Sequence, residues 1–234
     1  MAGGCGGRAS RRSAAAGDLA YGAAVNRPAP ADDPALADAT AHWLALWPEW
    51  EIAQLFLPAS QRATAAAWGA LLQALTDLGH GGADPTPLQA KRAWWQAELQ
   101  GWSAGRYRHP LGAALQGLHA PWQALADALP DPPVEPSSAL AAAVAQIEVA
   151  LFDGGHTDAV MRTILGDLRM ARALRSDAAT SGEFDPGPIA PDAARLRRLW
   201  SALLRARFER LRRGSVEPSG PVSVLFGSWR AARG

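Results

Sequence analysis

Cysteine, lysine and tyrosine are almost missing from this chain of 234 residues. There is one cysteine, Cys5, one lysine, Lys91, and two tyrosines. A single cysteine closes no disulfide within the chain and builds no zinc cluster, so a reducing compartment fits. Charge of one sign is missing too: the formal net charge is +1, which argues against a general binder of nucleic acid or acidic surfaces. No apolar run is long enough to span a bilayer. No G-x-S-x-G elbow and no glycine-rich phosphate loop after a strand is present, and the five histidines show no paired metal spacing. Serine-nucleophile, mononucleotide-loop and histidine-zinc chemistries therefore lose their usual signatures. These absences read as a soluble, cytoplasmic protein.

What is there is alanine, leucine, arginine and tryptophan. Hydrophobic residues make up 48% of the chain, enough for a sizeable core. Residues 1–34 are rich in Gly, Ala, Pro and Arg without periodicity and read as a disordered leader. The leader has arginines but no apolar segment like that of a secretory signal; its composition also admits a transit peptide. Residues 35–234 read as one domain. Breakers at 81–87, 130–138, 181–192 and 214–221 divide it.

Between the breakers the apolar residues recur at helical steps. Trp68, Leu71, Leu72, Leu75 and Leu78 form a stripe in 59–79. Leu88, Trp95, Leu99 and Trp102 do so in 88–102, and Val160, Ile164, Leu168 and Ala171 in 157–175. Leu196, Leu199, Leu203 and Leu211 do so in 192–212, with Pro191 near the start. Segments 35–46, 109–129 and 138–152 are Ala- and Leu-rich and read as helices. The run PVSVLFG near the end is too short to count as a strand. The fold class is all-α. The ten tryptophans read either as large rings packing Ala-rich helices or as the wall of an apolar ligand tunnel. Trp68, Trp95 and Trp102 are expected to be buried, each on its helix's stripe.

Two acids stand out. On the helix of 59–79, Arg62, Gln73, Asp77 and His80 lie near one polar face, a place where helical bundles build sites. One Asp with a Gln and a His is a poor magnesium set, because magnesium takes hard oxygens and keeps waters; a solvated helix face is the plain alternative. On the helix of 157–175, Asp167 is flanked by Arg162, Arg169 and Arg172. Arg169 and Arg172 suit a phosphate or a pairing with acids, or are surface charge. The helix 195–213 carries eight arginines and one acid, Glu209. It reads as a solvated basic face on a core helix, with contact to anionic lipid, RNA or a partner as the alternative.

Taken together, FLPASQRATAAAWGALLQALTDLGHG and KRAWWQAELQGWSAGRYRHPLGAAL resemble the squalene/phytoene synthase family. Leu57, Pro58 and Arg62 match the family's opening Leu-Pro and Arg. Trp95, Glu98 and Leu99 match its following helix, and His109-Pro110 a later His-Pro step. LGDLRMAR looks like its second acidic motif, with Asp167 at the first acid. The resemblance covers about residues 50–233. It implies an isoprenoid-synthase-like helical bundle that joins prenyl diphosphates head to head with Mg2+. The implied metal ligands are Asp77 and Asp167, and the implied substrate contacts are Arg62, Gln73, His80, Arg169 and Arg172. The chain departs from the pattern at the chemistry. Gln73 and Gly166 stand where the family has arginines, and Thr76, His80 and Ala171 where it has carboxylates. Two functions follow from the resemblance. One is a non-catalytic module that binds a prenyl diphosphate or lipid, or assembles with a protein partner, as degenerate relatives in respiratory-complex assembly do. The other is a divergent prenyltransferase of isoprenoid or carotenoid synthesis. Neither involves nucleic acid or a transmembrane segment; peripheral contact with a membrane is compatible with both.

Overall fold

Two helices of this chain open where a side chain meets a free N–H group of the first turn. Ser137 Oγ accepts from the Leu140 N–H at 3.1 Å, and Thr157 Oγ1 accepts from the Val160 N–H at 3.2 Å. They open α7 (Ser138–Phe152) and α8 (Asp158–Ala173). Asp158 adds negative charge in the first turn of α8, where the helix dipole favours it. Asp153 ends α7 with φ of 54°, a left-handed conformation that Asp tolerates better than most residues. Pro221 sits at the start of α10 (Pro221–Arg233), where its missing N–H costs nothing.

The computed structural model describes residues 34–79, 86–130, 136–175, 185–215 and 217–234. Among them are ten α-helices and no strand. The remaining helices are α1 (Pro34–Leu46), α2 (Trp50–Ala53), α3 (Ala59–Thr76), α4 (Thr86–Ser103), α5 (Leu111–Leu115), α6 (Trp122–Asp127) and α9 (Arg195–Arg212). The expected all-α class holds for these residues. The leader assigned to 1–34 lies, apart from Pro34, outside them.

Helix α3 is the hub. Ala65, Ala67, Trp68, Gly69, Ala70, Leu71, Leu72, Gln73 and Leu75 are all buried, because α1, α5 and α8 pack around it. Small residues let the neighbours come close: a Cβ added to Gly69 would lie 2.3 Å from the Trp43 ring. Next to α3, α8 packs on α7 and on α9, and α9 packs on α10; on the other side α4 packs on α6.

The tryptophans fill the gaps that alanines leave. Trp43, Trp47, Trp50 and Trp200 form one ring cluster, with Trp47 and Trp200 centroids 4.4 Å apart. Trp68, Trp102 and Trp122 form a second. Each such pair contributes about 0.5–1.5 kcal/mol beyond area burial. Trp68, Trp95 and Trp102 are buried as their stripes require. The cavity among Trp43, Trp50, Trp68 and Trp200 has only ≈ 10 Å³, so ring packing and not a tunnel explains this cluster.

Two sequence expectations need correcting. Segment 109–129 is two short helices, α5 and α6, because Pro121 interrupts it. Helix α9 begins at Arg195, since 191–194 form a turn. The closing PVSVLFG run belongs to α10, whose Val224 and Ser228 face inward at a four-residue step.

Candidate functional site

Helices α3 and α8 touch each other. Their two acids have different surroundings. Asp167 points between α8 and α9 and is 1% exposed. Its Oδ2 accepts from Arg197 Nη1 at 3.1 Å and from Ser201 Oγ at 2.6 Å. Arg197 is 1% exposed as well. Its other face grips Glu148 of α7, with Nε 3.1 Å from Glu148 Oε2 and Nη2 on Oε1. Trp68 Nε1 donates to the same Oε1 at 2.9 Å. One buried guanidinium therefore serves two buried carboxylates and ties α7, α8 and α9 together.

The charge balance sets the titration of this centre. Burial opposes ionisation of Asp167, and a cation shared with Glu148 compensates only in part, so its pKa lies above the ordinary carboxylate value. Burial also opposes the charge on Arg197, but the two carboxylates outweigh it and hold the guanidinium cationic. Asp167 Oδ1 is buried without a hydrogen-bond partner. Beside it, Leu72, Gln73, Thr76, Ala171 and Trp200 help to line a cavity of ≈ 10 Å³, room for about one water molecule.

Asp77 sits at the end of α3, in the 3₁₀ turn Asp77–Gly79. Its Oδ1 pairs with Arg175 Nε at 3.2 Å and accepts from Gln73 Nε2 at 2.9 Å. Gln73 Oε1 in turn accepts from Trp47 Nε1 at 3.1 Å. The face that carries Gln73 and Asp77 is thus a hydrogen-bonded chain, not a solvated stripe. It borders a groove of ≈ 250 Å³ between α1, α3, α8 and α9. Trp47, Leu174 and Leu211 give the groove apolar walls; Gln73, Arg175 and Arg207 give it polar ones. Arg207 lies 3.9 Å from the Trp47 ring centroid and pairs with Glu49. Gln73 and Ala171 line both the groove and the small cavity at Asp167.

The other expected contacts scatter. Arg62 donates to the Leu55 and Leu57 carbonyls, at 3.3 Å each, and closes the turn before α3. Arg169 is exposed. Arg172 lines a separate, mostly apolar cavity of ≈ 30 Å³ with Leu72, Leu75, Leu140 and Leu168. His80 lies outside the described residues. Gly166 packs on the neighbouring segment, where an added Cβ would meet the Pro186 carbonyl oxygen at 3.1 Å. A side chain as long as arginine there would have to displace that segment.

A magnesium ion needs about six oxygens at about 2.0–2.1 Å. Among the described residues no three His, Cys, Asp or Glu side chains come together to hold an ion. Asp167 shares its carboxylate with a guanidinium, and the space at its free oxygen takes about one water. Asp77 is tied to Arg175 on the rim of the groove. The described residues do not fit the implied metal.

A further buried carboxylate belongs to the part of the chain around the His109-Pro110 step. Glu98 of α4 accepts from the backbone N–H of Arg108 at 2.6 Å and of His109 at 2.8 Å, and from Trp102 Nε1 at 2.9 Å. Arg108 Nε is 2.9 Å from its other oxygen. Burial opposes its ionisation, but these donors prevail and lower its pKa to about 2. His109 accepts from the Leu111 N–H through Nδ1 at 3.2 Å, and burial lowers its pKa despite Glu98. The Glu98 and His109-Pro110 matches therefore fix the turn between α4 and α5.

Sequence reasoning missed Arg197, Glu148 and Ser201. A signal existed in α9: Arg197, Ser201, Leu204 and Phe208 recur at steps of four, three and four, all on the buried face. It was hidden by the other arginines of the helix. Comparison with known proteins found no matching family model, no matching curated protein and no matching solved structure.

Proposed function

We propose that this chain is a squalene/phytoene synthase-like helical module that binds a prenyl diphosphate or a related lipid without turning it over. It would serve in the cytoplasm as a binding or assembly unit. One observation carries the reading: Asp167, the acid matched to the second metal motif, is held inside the core by Arg197 and Ser201. An acid in that state is engaged inside the core and is not offered to a metal. Ionising a diphosphate leaving group asks several kcal/mol of charge stabilisation from bridging metals, and nothing described at Asp167 replaces them. The groove suits a ligand with an apolar tail against Trp47, Leu174 and Leu211. Its head group would lie at Arg175, whose side chain is 42% exposed and pairs with Asp77. A phosphate oxygen can replace that carboxylate, since guanidinium groups bind both.

The test is calorimetric titration of the full chain with farnesyl diphosphate and with farnesol, with and without Mg2+, beside extraction of any product. Expected are saturable binding of the diphosphate with little dependence on Mg2+, and no condensed product. Asp77→Asn should tighten diphosphate binding several-fold, because it frees Arg175. A metal ligand would behave oppositely. Squalene or phytoene formed at a rate that Asp77→Asn abolishes would overturn the reading in favour of a divergent prenyltransferase. Absence of binding to both compounds would overturn the ligand.

A further inference from the structure

Helix α10 presents an apolar face to solvent. Val222 is 67% exposed, Phe226 61%, Leu225 47% and Trp229 46%. They recur at steps of three, one and three residues, within about 100° of the helix circumference. Val224, Ser228 and Ala231 lie on the opposite side, against the body of the protein. The exposed side chains are therefore turned directly outward. Leu55, 59% exposed, lies on the 3₁₀ turn Gln54–Phe56 that packs against the same helix. Isolated exposed apolar residues are ordinary, but a contiguous group with four large side chains marks an interaction surface.

The charges beside it select the occupant. Helix α10 has no acid, and its two basic residues, Arg230 and Arg233, are exposed in its last turn. Arg233 lies 4.2 Å from the Trp229 ring centroid. Arg198 of α9 donates to the Ala231 and Ala232 carbonyls and so brings exposed Arg195 to the same end. The acids on packed or preceding segments are Glu51 of α2, Glu209 of α9, which pairs with Arg212 and Arg213, and Glu217 of the segment leading into α10. An outward apolar face with a tryptophan and arginines at one end is the pattern of a helix lying in a membrane interface. There the rings enter the boundary between head groups and acyl chains, and the arginines reach anionic phosphates. We propose that α10 docks this protein on an anionic lipid surface, with Val222, Leu225, Phe226 and Trp229 as the inserted face.

Co-sedimentation of the full chain with vesicles of phosphatidylcholine, with and without ~30% phosphatidylglycerol, tests this at low and at high salt. The expected result is binding to the anionic vesicles that weakens with salt. Leu225→Ser with Phe226→Ser should reduce it about tenfold or more; these side chains are exposed, so circular dichroism and melting should match the parent. Arg230→Gln with Arg233→Gln should weaken binding to anionic vesicles and leave residual binding to neutral ones unchanged. Failure of the parent to sediment with anionic vesicles would overturn the proposal, as would a serine variant that binds like the parent. A dimer in light scattering that the serine variant dissociates, without vesicle binding, would assign the face to a second copy instead. These readouts are independent of the groove, so they stand or fall apart from prenyl diphosphate binding.

Discussion

Glu98 and Asp167 are both about 1% exposed, yet their pKa values move in opposite directions. Glu98 accepts two backbone N–H groups, an indole N–H and its own guanidinium from Arg108. Asp167 has a hydroxyl and a share in Arg197, which also serves Glu148, and one of its oxygens has no partner. Burial penalises both anions equally in kind. The deeper burial of Asp167 and the larger number of donors to Glu98 set the opposite directions. The difference also separates two roles: Glu98 fixes a turn, whereas Asp167 belongs to a clamp that joins α7, α8 and α9.

The strongest way to break the comparison is to remove the shared cation. Arg197→Met leaves Glu148 and Asp167 buried without it. Breaking a buried pair this way costs about 3–5 kcal/mol, and we expect that loss in urea unfolding at pH 7. Protonation of the stranded carboxylates should recover part of it at pH 5. Equal deficits at both pH values would show that the guanidinium acts by packing alone.

A smaller effect is expected at Glu98. Its folded pKa of about 2 lies below the ordinary value of 4.5. The stabilisation is therefore complete above pH 4.5 and is lost as pH falls toward 2, and it amounts to about 3 kcal/mol. Glu98→Gln should lower stability at neutral pH by roughly that amount and flatten the unfolding curve between pH 4.5 and 2. A variant that keeps the parent's acid limb would assign that limb to other carboxylates.

The smallest change sharpens the contrast. Asp167 has a raised pKa, so the folded state holds its proton to higher pH than the unfolded chain does. Stability then falls as pH rises above 3.8, the ordinary value. Asp167→Asn removes that loss. We expect it to match or exceed the parent at pH 7 and to lose its relative advantage toward pH 4. A variant less stable at pH 7 than at pH 4, relative to the parent, would mean that the ionised carboxylate is needed by Arg197.

The sequence by itself determined the helices and most of the core. Leucine and tryptophan stripes at three- and four-residue steps place the buried faces of α3, α4, α8 and α9, and breakers follow α3, α8 and α9. Burial of Trp68, Trp95 and Trp102 follows from the same periodicity. It did not determine where the charged groups point. Arg197 is one of eight arginines in its stretch, and only its register with Ser201, Leu204 and Phe208 and the arrival of α7 and α8 make it a buried clamp. Asp167 was legible as a special acid, but its partner lies 30 residues away, beyond any local pattern. Asp77 likewise received Arg175 instead of a second acid. The outward face of α10 was decided by which side of that helix packs on α2 and α9. Local periodicity fixes which side chains share a helix face. Which face is covered, and which buried charge finds a counter-charge, depends on helices far apart in sequence, and only the tertiary structure brings them together.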